Sequence, residues 1–224
     1  MAGSEGEGGR SRQLSRRELL KRAGVAGAAA AIPVAAAPPV ALGGEEAAQL
    51  RQLKALSPTE AATVSAFVER LIPSDATGPG AREANVIRYI DRALAGDLAM
   101  FRASYTAAAQ ALDAYSQSKY AAGFAALPAD KQDAVLTDMD LNKATGFVPS
   151  AKAVFEMIRT HAVQGMFGDP AHGGNTGFVG WKLVRFPGPR LVIPANDQKL
   201  NVVPKANLRS AYSLPIFKTS SARR

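Results

Sequence analysis

The chain has 224 residues, 47% of them apolar, and a formal net charge of +8, enough for one folded domain with an appendage. It contains no cysteine, so disulfides, thiolate nucleophiles, iron–sulfur clusters and thiol-attached haem are excluded, and its two histidines, His161 and His172, cannot supply a three-histidine metal site. The charge sits at the ends: residues 44–181 carry twelve basic and fifteen acidic groups, and residues 182–224 nine basic and one acidic, a pattern suiting solubility, a membrane surface or an acidic partner rather than nucleic acid.

Residues 1–43 read as an address. Ser15, Arg16, Arg17, Leu19, Leu20 and Lys21 form a twin-arginine motif. A weakly apolar stretch from Ala23 to Ala37 follows, then small residues with candidate cleavage regions at Ala35–Ala37 and Val40–Gly43. A transmembrane helix needs about 20 strongly apolar residues, whereas this stretch is shorter, alanine-rich and interrupted by Pro33. It also lacks the alternating faces of a membrane-surface helix. The expected route is twin-arginine export, which carries folded passengers, to a periplasmic or other extracytoplasmic location.

Residues 44–56 are a polar, alanine-rich lead-in. Ser57-Pro58-Thr59-Glu60 then carries the signature of a capping box, with proline at the first helical position where no amide is needed. Val64, Phe67, Val68, Leu71 and Ile72 recur at helical spacing until Pro73 stops the run. After a turn-rich loop, Val86, Ile87, Ile90 and Leu94 mark a second helix that Gly96 ends. A third is expected from about Asp97 to Tyr120, with Leu98, Phe101, Tyr105, Ala108, Leu112 and Tyr115 on its core face. A fourth starts at Leu127-Pro128 with Val135, Leu136 and Met139 inward, and a fifth, capped by Ser150, lines up Phe155, Ile158, Ala162 and Met166. Turn formers dominate from Gly168 to Gly177. Beyond Pro189 spaced prolines and polar residues predict an extended tail, ordered by a partner.

Several ordered pieces carry a resemblance: Leu56–Glu60, Arg70–Pro73, Gly78–Ala84, Tyr89–Leu94, Gly123–Pro128, and the block from Gly165 through Asp169-Pro170 to Gly180-Trp181-Lys182. Together they resemble the gluconate 2-dehydrogenase subunit 3 family over roughly residues 15–190. The resemblance implies a small subunit without a cofactor of its own. Its companion would be a large FAD-dependent dehydrogenase subunit of the glucose–methanol–choline type, with electrons passing to a c-type, haem-bearing cytochrome subunit. The large subunit of such complexes often lacks a signal and travels as a hitchhiker with the small one. His172 departs from the aromatic residue expected there, and Thr176-Gly177 from an expected aspartate.

Other chemistries fit the residues less well. The loop Gly173-Gly174-Asn175 lacks the lysine and hydroxyl of a phosphate-binding loop and no strand precedes it. His161 falls near an inward stripe and reads as a packed or hydrogen-bonded histidine. His172 and Asp169 could polarise a nucleophile, but no serine stands at a recognisable elbow. Asp75, Glu83 and Asp91 read as exposed helix and loop charges rather than a glycosidase pair. Trp181, the sole tryptophan, suits a core anchor and an interface equally.

The sequence thus predicts an all-α, compact bundle of about five to six helices with an irregular Pro/Gly-containing C-terminal segment. Its organisation is a signal over residues 1–43, a helical domain over 44–188 and a basic tail over 189–224. No catalytic, cofactor-binding or metal-binding residue is expected. Asp169, Pro170, His172, Gly173, Asn175, Trp181, Lys182 and Phe186 are expected to dock the partner. The partners are the FAD-dependent large subunit, a c-type cytochrome subunit and the twin-arginine translocase, with membrane association through the complex. The alternatives are a stand-alone periplasmic hydrolase and a ligand-binding module.

Overall fold

The computed structural model describes residues 52–218; the twin-arginine motif, the lead-in as far as residue 51 and residues 219–224 lie outside them. Among the described residues there are seven α-helices and no strand, so the fold is all-α. Five helices have the length to build a core: α1 (Pro58–Leu71), α2 (Val86–Leu94), α3 (Arg102–Tyr120), α4 (Ala129–Asp140) and α5 (Ala151–Phe167). Two more are single turns, α6 (Val179–Leu183) and α7 (Pro215–Lys218).

The start of α1 is the capping box expected of its sequence. The Glu60 amide donates to Ser57 Oγ at 3.3 Å and the Ser57 amide donates to Glu60 Oε2 at 2.8 Å. The same carboxylate binds the Arg102 guanidinium through both oxygens, at 3.0 and 2.8 Å, which ties the start of α1 to the first turn of α3. Burial pushes the Glu60 carboxyl upward, but Arg102 and the Ser57 and Thr106 contacts outweigh it and hold the group at about 2, against an ordinary 4.5. The Ile72 amide closes α1 on the Val68 carbonyl at 3.0 Å.

The third helix starts later than its apolar spacing predicts. After Gly96 the amides of Ala99 and Phe101 bond the carbonyls three residues back, at 3.0 and 2.9 Å, making a 3₁₀ turn over Ala99–Phe101 before α3 proper. Leu98 and Phe101 still pack against the core, so the stripe is continuous although the helix is not. α5 begins as expected, with Ser150 Oγ accepting from the Ala153 amide at 3.2 Å.

The core gathers one stripe from each long helix, with α5 against α4 and α2, and α1 against α2, α3, α4 and α5. Phe67, wholly buried, lies at its centre with ring centroids 5.6 Å from Phe155 and 6.4 Å from Phe124. Val86, Ile90, Leu112, Val135, Met139 and Met166 fill the space around it. Val135, Leu136, Ile158 and Ala162 are buried as their spacing predicts.

Polar side chains fasten this core at its edges. Asp91, expected on the surface, is buried, and this is a correction. Its carboxylate accepts from the amides of Lys54, Ala55 and Leu56 at 2.9, 2.7 and 2.9 Å, pinning the segment before α1 onto α2. Asp113 likewise accepts from Thr63 Oγ1 at 3.1 Å and the Phe124 amide at 2.9 Å. Arg70 and Asp133 form a two-pronged pair at 2.7 Å between α1 and α4. His161 is buried and shares a 3.0 Å hydrogen bond with Tyr105 Oη, and burial lowers its pKa, so the neutral ring is favoured. No helix among the described residues is long and apolar enough to cross a membrane.

Candidate functional site

The residues singled out from the sequence converge on one end of α5. Past Phe167 the chain bends sharply and Asp169 caps a 3₁₀ turn, Pro170–His172, by accepting from the Ala171 amide at 2.9 Å. Its other carboxylate oxygen accepts from the Ala211 amide at 2.7 Å. Both carboxylate oxygens of Asp169 are therefore engaged by other backbone amides, and its bond with His172 is a backbone one, the His172 amide donating to the Asp169 carbonyl at 3.0 Å. The His172 ring is exposed and meets Tyr212 edge-on at 5.5 Å, with Nε2 3.4 Å from Tyr212 Oη. A His–Asp pair poised over a nucleophile is not assembled here.

Asn175 organises the loop from within. It is wholly buried and adopts a left-handed conformation with φ of 46°. Its Nδ2 donates to the Gly168 carbonyl at 2.8 Å, its Oδ1 accepts from the Gly180 amide at 2.9 Å, and its own amide donates to the Gly165 carbonyl at 2.8 Å. The side chain thus closes the loop at both ends, and the backbone amide of the same residue straps it to α5. Gly180 lies so close to α5 that a β-carbon there would stand 1.9 Å from the Met166 carbonyl oxygen. The glycines read as turn formers serve close backbone approach as well.

Trp181, on α6, is buried, and its indole N–H donates to the Phe167 carbonyl at 2.8 Å. Phe178 and Phe186 flank it, with centroids at 5.3 and 4.9 Å. Of the eight residues expected to dock a partner, Asn175 and Trp181 are built into the chain's own packing and shape the loop rather than face outward. Asp169, Pro170 and Gly173 are half-buried, whereas His172, Lys182 and Phe186 are exposed. Arg92 of α2 reaches the same loop, donating to the Ala171 carbonyl at 3.2 Å. Lys182 and Leu183 also line a shallow groove against Thr77, Gly78 and Pro79.

The tail was expected to be extended or loosely held, and most of it is irregular and exposed. It nevertheless returns to the site. Leu214 is buried, the Ala211 amide is held by Asp169, and the Tyr212 ring meets His172 edge-on. Sequence reading missed Tyr212 and Ala211 because their partner lies some forty residues earlier in the chain and nothing periodic links the two. Among the described residues no group of three histidine, aspartate or glutamate side chains is close enough to hold a metal ion.

The surface thus has a rigid loop braced by Asn175, a cationic and aromatic outer face, and a tail folded across it. Comparison with curated proteins gives no match, and comparison with solved structures gives none. Among protein families, gluconate 2-dehydrogenase subunit 3 matches residues 58–188, from the first residue of α1 to Gly188 just beyond the Trp181–Phe186 pair. That span covers all five core helices and the Asn175 loop, so the chain belongs to the gluconate 2-dehydrogenase subunit 3 family.

Proposed function

We propose that this chain is the non-catalytic small subunit of a dehydrogenase complex. It binds a flavin-dependent large subunit of the glucose–methanol–choline type, stabilises it and escorts it out of the cytoplasm by the twin-arginine route. The observation that carries the reading is membership of a family named for the third subunit of a gluconate dehydrogenase, joined to the Arg16-Arg17 motif ahead of the folded domain. The flavin belongs to the large subunit and haem to a c-type cytochrome subunit. The complex works outside the cytoplasm, membrane-associated through its other subunits. The outward face carrying His172, Lys182 and Phe186 is the contact surface. Supporting this choice, Asp169 and Asn175 hold the loop's shape through backbone hydrogen bonds, which leaves a preformed face.

The test is to express the flavoprotein with and without this chain and measure folded, flavin-loaded enzyme on each side of the inner membrane. Dependence of export on this chain is expected, and Arg16→Lys with Arg17→Lys should retain both proteins in the cytoplasm. A flavoprotein exported and active without this chain would sink the escort role.

A further inference from the structure

Residues 187–207 form a closed loop that starts where the family match ends. At its neck the Asn207 amide donates to the Pro187 carbonyl at 2.8 Å. The two chain segments of the neck are so close that a β-carbon on Gly188 would stand 2.2 Å from the Asn207 carbonyl oxygen. Arg190 braces the interior, paired with Asp197 and donating to the Lys205 carbonyl at 2.6 Å. Gln198 adds a bond to the Ile193 carbonyl at 3.0 Å. Yet the loop turns its aliphatic side chains outward: Leu200 is 92% exposed, Val203 83% and Val192 78%, with Leu191 and Ile193 also exposed. A segment braced by polar bonds while exposing five large aliphatic groups is shaped for contact with something else.

The chemistry of the loop selects the occupant. Asp197, the only acidic group after residue 181, is paired with Arg190, while Lys199 and Lys205 are exposed. Residues 187–207 contain no aromatic side chain, and their backbone is irregular apart from one 3₁₀ turn. Both facts disfavour a lipid bilayer, where interfacial segments use tryptophan and tyrosine and unpaired backbone groups are costly. A protein surface can pair such backbone and receive aliphatic side chains. We propose that residues 187–207 are a preshaped docking loop whose Leu191–Ile193 and Leu200–Val203 groups enter an apolar cleft with an acidic rim on the dehydrogenase subunit. This inference rests on the accessory-subunit reading above and names the element that gives it affinity.

The experiment measures binding of the full chain to the flavoprotein subunit. Val192→Asp, Leu200→Asp and Val203→Asp combined should weaken binding at least about tenfold, with an unchanged melting temperature because all three side chains are exposed. Val148→Asp, at a site 80% exposed between α4 and α5, should leave affinity unaltered. Lys199→Gln with Lys205→Gln should flatten the salt dependence of association. A wild-type complex that the triple variant forms with equal affinity overturns the docking loop and leaves the accessory-subunit reading intact. Failure of the wild-type chain to bind the flavoprotein removes both. Co-sedimentation with mixed phosphatidylcholine and phosphatidylglycerol vesicles, lost in the triple variant while the protein complex persists, would assign the loop to lipid and overturn the proposal.

Discussion

The helical body and the C-terminal segment solve opposite problems with the same kinds of residue. In the body, Phe67, Ile90, Leu112, Val135 and Met139 are enclosed and polar groups sit at the margins as fasteners. In the segment after Trp181, Leu191, Val192, Ile193, Leu200 and Val203 face outward, and the polar contacts of Arg190, Asn207 and Asp169 hold the shape. Burial makes the first region cohesive because each enclosed side chain touches many others. The second has few buried apolar groups, so its order depends on a handful of directional bonds.

The largest expected break in this comparison is at the centre of the body. Phe67→Ala empties a site lined by Phe155 and Phe124 and should cost about 3–5 kcal/mol in urea unfolding followed by circular dichroism. A loss below about 1 kcal/mol would mean that the core is not centred there. Next comes the boundary between the regions. Asn175→Ala leaves the Gly180 amide and the Gly168 carbonyl without their partner and should cost about 2–3 kcal/mol. It should also make the change in Trp181 fluorescence on unfolding smaller, since the loop that seats the indole is loosened.

A smaller effect sharpens the role of the fasteners. The Glu60 carboxyl is held at about 2, below its ordinary 4.5, so its contribution to stability is complete above pH 4.5 and fades as the pH falls toward 2. Glu60→Gln should therefore cost about 1–2 kcal/mol at neutral pH, with the gap to wild type closing on acidification. A gap that stays constant across that range would show that charge is not what Arg102 reads. The smallest global effect is expected in the tail. Tyr212→Ala should change overall stability by less than about 0.5 kcal/mol, yet speed amide hydrogen exchange around residues 208–217. Unaltered exchange there would mean that the contact with His172 does not hold the tail.

Much of the body was legible in its residues because helix formation leaves local marks. Ser57, Glu60 and Ser150 sit where caps are needed, Pro73 and Gly96 where helices stop, and the apolar stripes recur at helical spacing. The late start of α3 was not legible, since Leu98 and Phe101 keep the stripe's register in a 3₁₀ turn as well as in a helix. Asp91 had a faint signal: it stands four residues after Ile87 and three before Leu94, on the apolar face, where a charge needs a buried partner. The candidate site was legible as a location and not as a division of labour. Gly168 to Phe186 stood out by composition, but which of its members turn inward could not be read from spacing. The twin-arginine motif lies outside the described residues and rests on its sequence alone.

By itself the order of residues determined the helical class, the positions of the long helices, the charge at the two ends and the family's run of motifs, because capping, periodicity and composition act within a few turns of chain. Only the tertiary structure decided that Asn175 closes a loop from inside, that Asp91 clasps the chain before α1, and that Ala211 and Tyr212 come back to Asp169 and His172. Those outcomes depend on which backbone amides and carbonyls meet across long stretches of sequence. A buried polar group is stable only where such a meeting satisfies it.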